Sequence, residues 1–449
     1  MKRSGRVGSV ILAVGMGWSG GTIMADDAAS ACIAKGNALV AALAAGDASK
    51  ATVDFDATMR AALPPETLAA VWVATVAKSG AYEGGDTAVA ARGNETAPHL
   101  AVIPLRFAHA ALNAVVACDA AGAVAGFHLV PRPAAQSPPV ALESGAFSTE
   151  ALTVGAEGVQ LGATLYRPRT ASAAAPAVLL LAGSGPQDRN STLGATKPLR
   201  DLAEGLAKQG IVVLTYDKRT LAHPDRAIAT VNDEVIDDAA AALHQLASLP
   251  GVDKKRVFVL GHSWGGTLAP RVATRAHGVA GLVLLAASVE PLEEAYRRQL
   301  RFLAERDGQV DDSELAELAK ADAEARRLDD LRHGKAVEGR LPFGIPAAYW
   351  QDLAGYDPVA VARSLGVPVL ALWAGRDYQV PAEPARDRWV QGFSGRTELA
   401  VHVYPTLGHT FMPMSDPPEP ARLLEAGHVE PEVVLRVAQW ISRVKPTSP

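Results

Sequence analysis

Several protein classes are excluded by what this chain has little of. Among 449 residues there are two cysteines, Cys32 and Cys118, which cannot make a zinc site by themselves. Basic residues are not in excess: 43 Lys and Arg stand against 48 Asp and Glu, a net charge of −5, so the footprint of a nucleic-acid binder is missing. No apolar run reaches the roughly 20 residues that a membrane-spanning helix needs. Nor is the chain built for disorder or a collagen repeat, since 40 Gly and 30 Pro are scattered through a sequence that is 49% apolar and 20% charged. What is left is a globular composition, long enough for two or three domains at roughly 150 residues each.

Residues 1–25 read as a signal peptide. Lys2, Arg3 and Arg6 precede an apolar run from Val7 to Trp18, and small residues lead to Ala25. The expectation is an exported protein, periplasmic or secreted. Its two cysteines then form either a disulfide, worth ~4 kcal/mol in the chain-entropy model, or two buried thiols. A lipid anchor at Cys32 is disfavoured, because the apolar run ends well upstream.

Residues 26–130 read as a small α+β domain. Cys32, Ile33, Leu39, Val40 and Leu43 mark one helical face, and Leu68, Val71, Trp72 and Val76 another. The period then changes to strands at His99 to Phe107, Ala114 to Cys118 and Val124 to Val130. No catalytic constellation stands out here, which favours an accessory or dimerisation module. Proline density at 131–145 reads as a linker, with a domain boundary near residue 140.

From residue 146 a hairpin around Gly155 to Gly158 leads into alternating strand and helix signals. Apolar runs at Ala177 to Ala182, Ile211 to Tyr216, Arg256 to Leu260, Val279 to Ala286 and Val367 to Trp373 are buried-strand candidates. Helical stretches between them imply an α/β fold with a mostly parallel sheet covered on both faces. The alternation breaks at about 289–355, where helical charge patterning without a strand predicts an inserted lid.

Gly261-His262-Ser263-Trp264-Gly265 follows an apolar strand and opens a helix. A serine there sits on a strained strand-to-helix turn that exposes its hydroxyl, and small flanking residues are needed because backbone packs closely around it. Ser263 is therefore the candidate nucleophile. A serine needs a base and an acid that orients the base, and both are found in order downstream. Asp377 follows a strand in Ala374-Gly375-Arg376-Asp377, and His409 follows the next in Leu407-Gly408-His409. Competing bases are His402, inside a strand, and His428; competing acids are Asp352 and Asp357. Two donors for a tetrahedral oxyanion are expected from the Trp264 N–H and from the turn Gly183-Ser184-Gly185-Pro186, with Ser184 preferred to Gly185. A dinucleotide site in that turn fails, since Asp188 occupies the third glycine position. Asp188 and Arg189 read as an internal ion pair that fixes this loop. No cofactor or metal is called for.

Residues from about 145 to 449 resemble a serine α/β hydrolase. The run Gly183-Ser184-Gly185-Pro186-Gln187-Asp188-Arg189 is similar to the loop of the bacterial branch of serine aminopeptidases, dienelactone hydrolases and acyl-CoA thioesterases. The preceding α+β portion resembles the nuclear-transport-factor-2-like domains that often precede such hydrolases. The resemblance implies metal-free hydrolysis of a small-molecule carboxylic ester by Ser263, His409 and Asp377. Aminopeptidase and thioesterase activity are alternatives, as is a non-catalytic binding protein on the same fold. One departure stands out: the family commonly has Gly after Asp-x-Arg, whereas this chain has Asp217-Lys218-Arg219-Thr220.

Overall fold

The computed structural model describes residues 27–92, 98–131, 145–169, 174–224, 226–337 and 341–445. The leader-like segment and most of the proline-rich linker, with the expected boundary near residue 140, lie outside the described residues. The chain divides into two compact units, 27–131 and 145–224 with 228–445.

In the first unit, helices α1 (Asp27–Ala44), α2 (Ala48–Ala51), α3 (Ala57–Ala62) and α4 (Pro65–Ser79) precede β1 (Tyr82–Gly85), β2 (Val89–Arg92), β3 (His99–Phe107), β4 (Ala111–Cys118) and β5 (Val124–Pro131). The sheet is antiparallel, with β1 and β2 both pairing with β3. Leu39, Val40 and Leu43 of α1 and Leu68 and Trp72 of α4 pack with Ala101, Ile103 and Leu105 of β3. These are the helical three- and four-residue spacings meeting every second residue of a strand. Cys32 and Cys118 form a disulfide across a separation of 86 residues, which settles the open pairing. A loop of that length is worth about 4 to 5 kcal/mol in the chain-entropy model.

The second unit contains β6 (Phe147–Val154), β7 (Leu161–Pro168), β8 (Ala175–Leu181), α5 (Pro198–Lys208), β9 (Val212–Tyr216), α6 (Arg219–Ala222), α7 (Asp237–Ser248), β10 (Val252–His262), α8 (Trp264–Ala276) and β11 (Gly281–Leu285). It continues through α9 (Leu292–Glu305), α10 (Asp312–Arg332), α11 (Ala347–Leu353), α12 (Pro358–Leu365), β12 (Val369–Ala374), α13 (Ala382–Gly392), β13 (Leu399–Tyr404) and α14 (Pro431–Arg443). The eight strands form one sheet in the order β13-β12-β11-β10-β8-β9-β7-β6. The hairpin β6–β7 and the β7–β9 pair are antiparallel, and the other pairs are parallel.

Successive side chains of the central strands enter opposite layers. Leu179 and Leu181 of β8 and Val257 and Val259 of β10 pack with α7, α8, α12 and α13. Val178, Leu180, Phe258 and Leu260 pack with α5 and α14. Both faces are covered, which is why these strands read as continuous apolar runs rather than alternating ones. The parallel arrangement brings the loops after β8, β10, β12 and β13 to the C-terminal edge of one sheet, and these loops carry the candidate residues.

Candidate active site

Ser263 is the single residue between the end of β10 and the start of α8, at φ 54° and ψ −121°. A non-glycine residue there costs of order 1–3 kcal/mol and persists only where the surroundings hold it. They do: the Ser263 N–H donates to the Leu285 carbonyl at 2.8 Å, and the Ser263 carbonyl accepts from the Thr267 N–H at 3.0 Å. A Cβ on Gly261 would stand 2.3 Å from the Gly265 oxygen, and one on Gly265 would stand 2.5 Å from the Ala182 oxygen. Neither position tolerates a side chain, the reason the motif needs glycine on both flanks.

His409 and Asp377 come together as a buried pair. The His409 Nδ1–H donates to Asp377 Oδ2 at 2.7 Å. The other carboxylate oxygen accepts the N–H groups of Gln379 and Val380 at 2.8 and 3.0 Å. With both oxygens engaged, the carboxylate sets the imidazole tautomer and leaves Nε2 as the free acceptor. His262, unassigned from sequence, ties this loop to the serine turn. Its Nε2–H donates to the His409 carbonyl at 2.8 Å, and the two rings lie 4.7 Å apart. Burial, then the neighbouring His409, pushes the His262 pKa down to about 4, so the ring is neutral at neutral pH. The signal was a histidine at the variable position of the G-x-S-x-G motif.

Ser263, Trp264 and Ser184 line one pocket of about 70 Å³. Gly183 approaches so closely that a Cβ on it would stand 3.3 Å from Ser263 Cβ. Gly185, the second choice for the oxyanion turn, sits at φ 80° and contributes to the bend rather than to the pocket lining. Much of the remaining wall comes from the insertion: Leu292, Ala295, Tyr296, Gln299, Leu300 and Leu303 of α9, with Phe343. The insertion also grips the acid loop. Arg298 donates to the Tyr378 and Gln379 carbonyls, both at 2.8 Å, while it pairs with Glu290 at 2.7 Å. Phe302 stacks on Tyr378 with ring centroids 4.8 Å apart.

The competing residues are occupied elsewhere. His402 packs edge-on against Tyr404, and His428 meets Asp201 at 3.1 Å. Asp352 pairs with Arg271 at 2.6 Å, and Asp357 caps α12. None of the four lines the pocket. The expected pairing of Asp188 with Arg189 is corrected: Arg189 pairs with buried Asp217, donating from its backbone at 2.8 Å as well as from its guanidinium. Asp188 instead accepts the N–H groups of Asn190 and Thr192, closing its own turn. The Asp217-Lys218-Arg219-Thr220 segment therefore has each charged side chain placed: Asp217 on Arg189, Arg219 on Asp238, and Lys218 turned inward to the Gly183 carbonyl. Among the described residues no cluster of His, Cys, Asp and Glu could hold a metal ion, and no helix is long and apolar enough to cross a membrane.

Residues 196–416 match the family described as serine aminopeptidase S33. The chain is 32% identical over 339 residues to esterase EstD of Thermotoga maritima, covering 75% of this chain and 78% of that one. It is also similar to the solved structure of esterase Pf2001 of Pyrococcus furiosus, at 16% identity and a TM-score of 0.43, covering 66% of this chain and 92% of that one. A further similar structure is Est1E of Butyrivibrio proteoclasticus, at 16% identity and a TM-score of 0.40, covering 65% and 97%. With its strand-turn-helix serine and mixed eight-stranded sheet between helical layers, the chain belongs to the α/β-hydrolase family of esterase EstD and is a serine hydrolase.

Proposed function

We propose that this protein hydrolyses carboxylic esters through an acyl-enzyme on Ser263. Ser263 Oγ attacks the acyl carbon while His409 Nε2 takes its proton, and Asp377 holds Nδ1–H and stabilises the imidazolium that forms. The tetrahedral oxyanion is received by the N–H groups of Ser184 and Trp264. His409 then returns the proton to the departing alcohol, and a water molecule repeats the sequence to release the acid. The observation that carries this reading is the 2.7 Å contact of His409 with Asp377, on a loop that His262 ties to the strained strand-to-helix turn of the adjacent Ser263.

The pocket's chemistry favours an ester over a peptide substrate. An aminopeptidase needs an acidic group to hold the free amine, and every lining residue here is uncharged. Four acidic side chains of the insertion are engaged with arginines: Glu290 with Arg298, Glu293 with Arg332, and Glu294 and Asp322 with Arg297. A cavity of about 70 Å³ suits a short acyl chain.

Export to the periplasm or beyond is supported by the leader-like sequence and by the Cys32–Cys118 disulfide, a bond that persists in oxidising compartments. The first unit serves as an accessory module of nuclear-transport-factor-2-like type, suited to dimerisation. The share of this chain matched by esterase EstD exceeds what residues 145–449 supply, so the likeness reaches ahead of the second unit.

The test is turnover of p-nitrophenyl acyl esters and labelling by a fluorophosphonate probe, for the wild type and Ser263→Ala, with aminoacyl anilides in parallel. Ester turnover and labelling should both vanish in Ser263→Ala. Labelling that survives the substitution would refute the nucleophile assignment, and anilide cleavage without ester turnover would refute the substrate class.

A further inference from the structure

Gly183 and Ser184 share one peptide group, and in a trans peptide the C=O and the N–H point in opposite directions. The C=O end rests on Lys218, whose Nζ donates to the Gly183 oxygen at 3.0 Å. The N–H end therefore faces away from Lys218, in a residue that lines the pocket over Ser263. Lys218 is only 4% exposed, and Glu234, 8% exposed, holds its ammonium at 2.6 Å. The second Glu234 oxygen accepts the Tyr349 hydroxyl. Trp264 carries the other N–H of the oxyanion site proposed above. Burial alone would favour a neutral Glu234, but Lys218, with help from Tyr349, holds its carboxyl below the usual range.

An ion pair this deep is a poor way to gain stability, because packed apolar residues of similar volume often serve as well or better. An apolar pair could not, however, anchor a carbonyl oxygen at the turn beside the nucleophile. We propose that Lys218, held by Glu234, is a positioning residue for the oxyanion site. Its ammonium fixes and polarises the Gly183–Ser184 peptide, so that the Ser184 N–H is aimed at the oxyanion and is a stronger donor to it. The inference rests on the serine mechanism proposed above and adds what sets one of its oxyanion donors.

A donor that acts on the developing charge lowers kcat rather than raising KM, since the ground-state carbonyl carries little of that charge. Loss of one whole donor typically costs ~100- to 1,000-fold in kcat, so loss of its anchor should cost about 10- to 100-fold. Lys218→Met alone would strand a buried carboxylate, which destabilises the fold by itself. The decisive variant is Lys218→Met/Glu234→Gln, which removes both charges and keeps an acceptor for Tyr349. Its kcat and KM on p-nitrophenyl butyrate are measured beside the inhibition constant of an alkyl trifluoromethyl ketone, whose serine adduct places a tetrahedral oxyanion in the site. Thermal melting checks the fold.

The expected result is a kcat lower by about 10- to 100-fold, a KM within about twofold, an inhibition constant raised in proportion to the kcat loss, and partial recovery in Lys218→Arg. A folded double variant with wild-type kcat, or a loss confined to KM with unchanged inhibition, would overturn the proposal. Should the double variant not fold, Lys218→Arg and Tyr349→Phe carry the same comparison, and the absence of any proportion between kcat and inhibition would overturn it equally. Failure of the wild type itself to turn over esters would refute the proposed function, whereas an active wild type with unaffected Lys218 variants would refute this inference alone.

Discussion

Mild acid should loosen the second unit through one side chain, His262. Its ring is buried against His409, and its pKa is pushed from the ordinary value near 6.5 down to about 4. The unfolded chain therefore binds a proton on this residue more readily than the folded chain does. Stability rises with pH across the window from 4 to 6.5 and is lost as pH falls through it. At pH 5 the unfolded histidine is almost fully protonated, while the folded one is about one-tenth protonated. The linkage relation then gives a loss of about 2 kcal/mol relative to pH 7.5, rising to about 3 kcal/mol near pH 4.

The assay is urea unfolding at pH 7.5 and pH 5.0, followed by tryptophan fluorescence, to which the second unit supplies Trp264, Trp350, Trp373, Trp389 and Trp440. Other groups titrate over the same window, so the comparison is with His262→Gln, whose amide N–H can still donate to the His409 carbonyl but does not titrate. The wild type should lose about 2 kcal/mol more than the variant between the two pH values. Parallel losses in both proteins would refute the assignment of a neutral, buried His262 as the link between the serine turn and the His409 loop.

Two further outcomes follow from the insertion. Arg298→Met releases the Tyr378 and Gln379 carbonyls beside Asp377, and should lower kcat on p-nitrophenyl esters about 10-fold with an unchanged circular-dichroism spectrum, by loosening the acid that orients His409. The small uncharged pocket should favour acetyl and butyryl over octanoyl p-nitrophenyl esters by at least about 10-fold in kcat/KM, and Leu300→Ala should shift that preference toward longer chains.

The serine turn was legible because its requirement is local. Five consecutive residues fix a close backbone approach, and the glycines at 261 and 265 are demanded by contacts the strand-turn-helix geometry makes unavoidable. The apolar runs of β8 to β12 were legible for a similar reason, since strands buried on both faces admit little else. Polar pairing in the interior was not legible. His262 and His409 are 147 residues apart, Tyr349 and Glu234 are 115 apart, and periodicity carries no information on which buried polar groups meet. Glu234 carries no sequence signal of its own, and its link to the turn at Gly183 through Lys218 is visible only in the packing. The same limit explains Arg189: its nearest acid in sequence, Asp188, closes its own turn, and its partner Asp217 comes from the end of the neighbouring strand β9.

The insertion is also more than the charge pattern of a solvated cover. A segment that only shielded the pocket would present apolar side chains to the substrate, as α9 does, and leave the catalytic loops to their own strands. Arg298 instead holds two carbonyls of the Asp377 loop, and Tyr349 of α11 holds the carboxylate under the proposed oxyanion turn. One grip falls on the loop that carries Asp377, and the other on Glu234, which holds the lysine that meets the Gly183 carbonyl. The helices between residues 289 and 355 thus hold the candidate site at two points, and a change in their packing would reach the Asp377–His409 pair and the proposed oxyanion turn as well as the pocket wall.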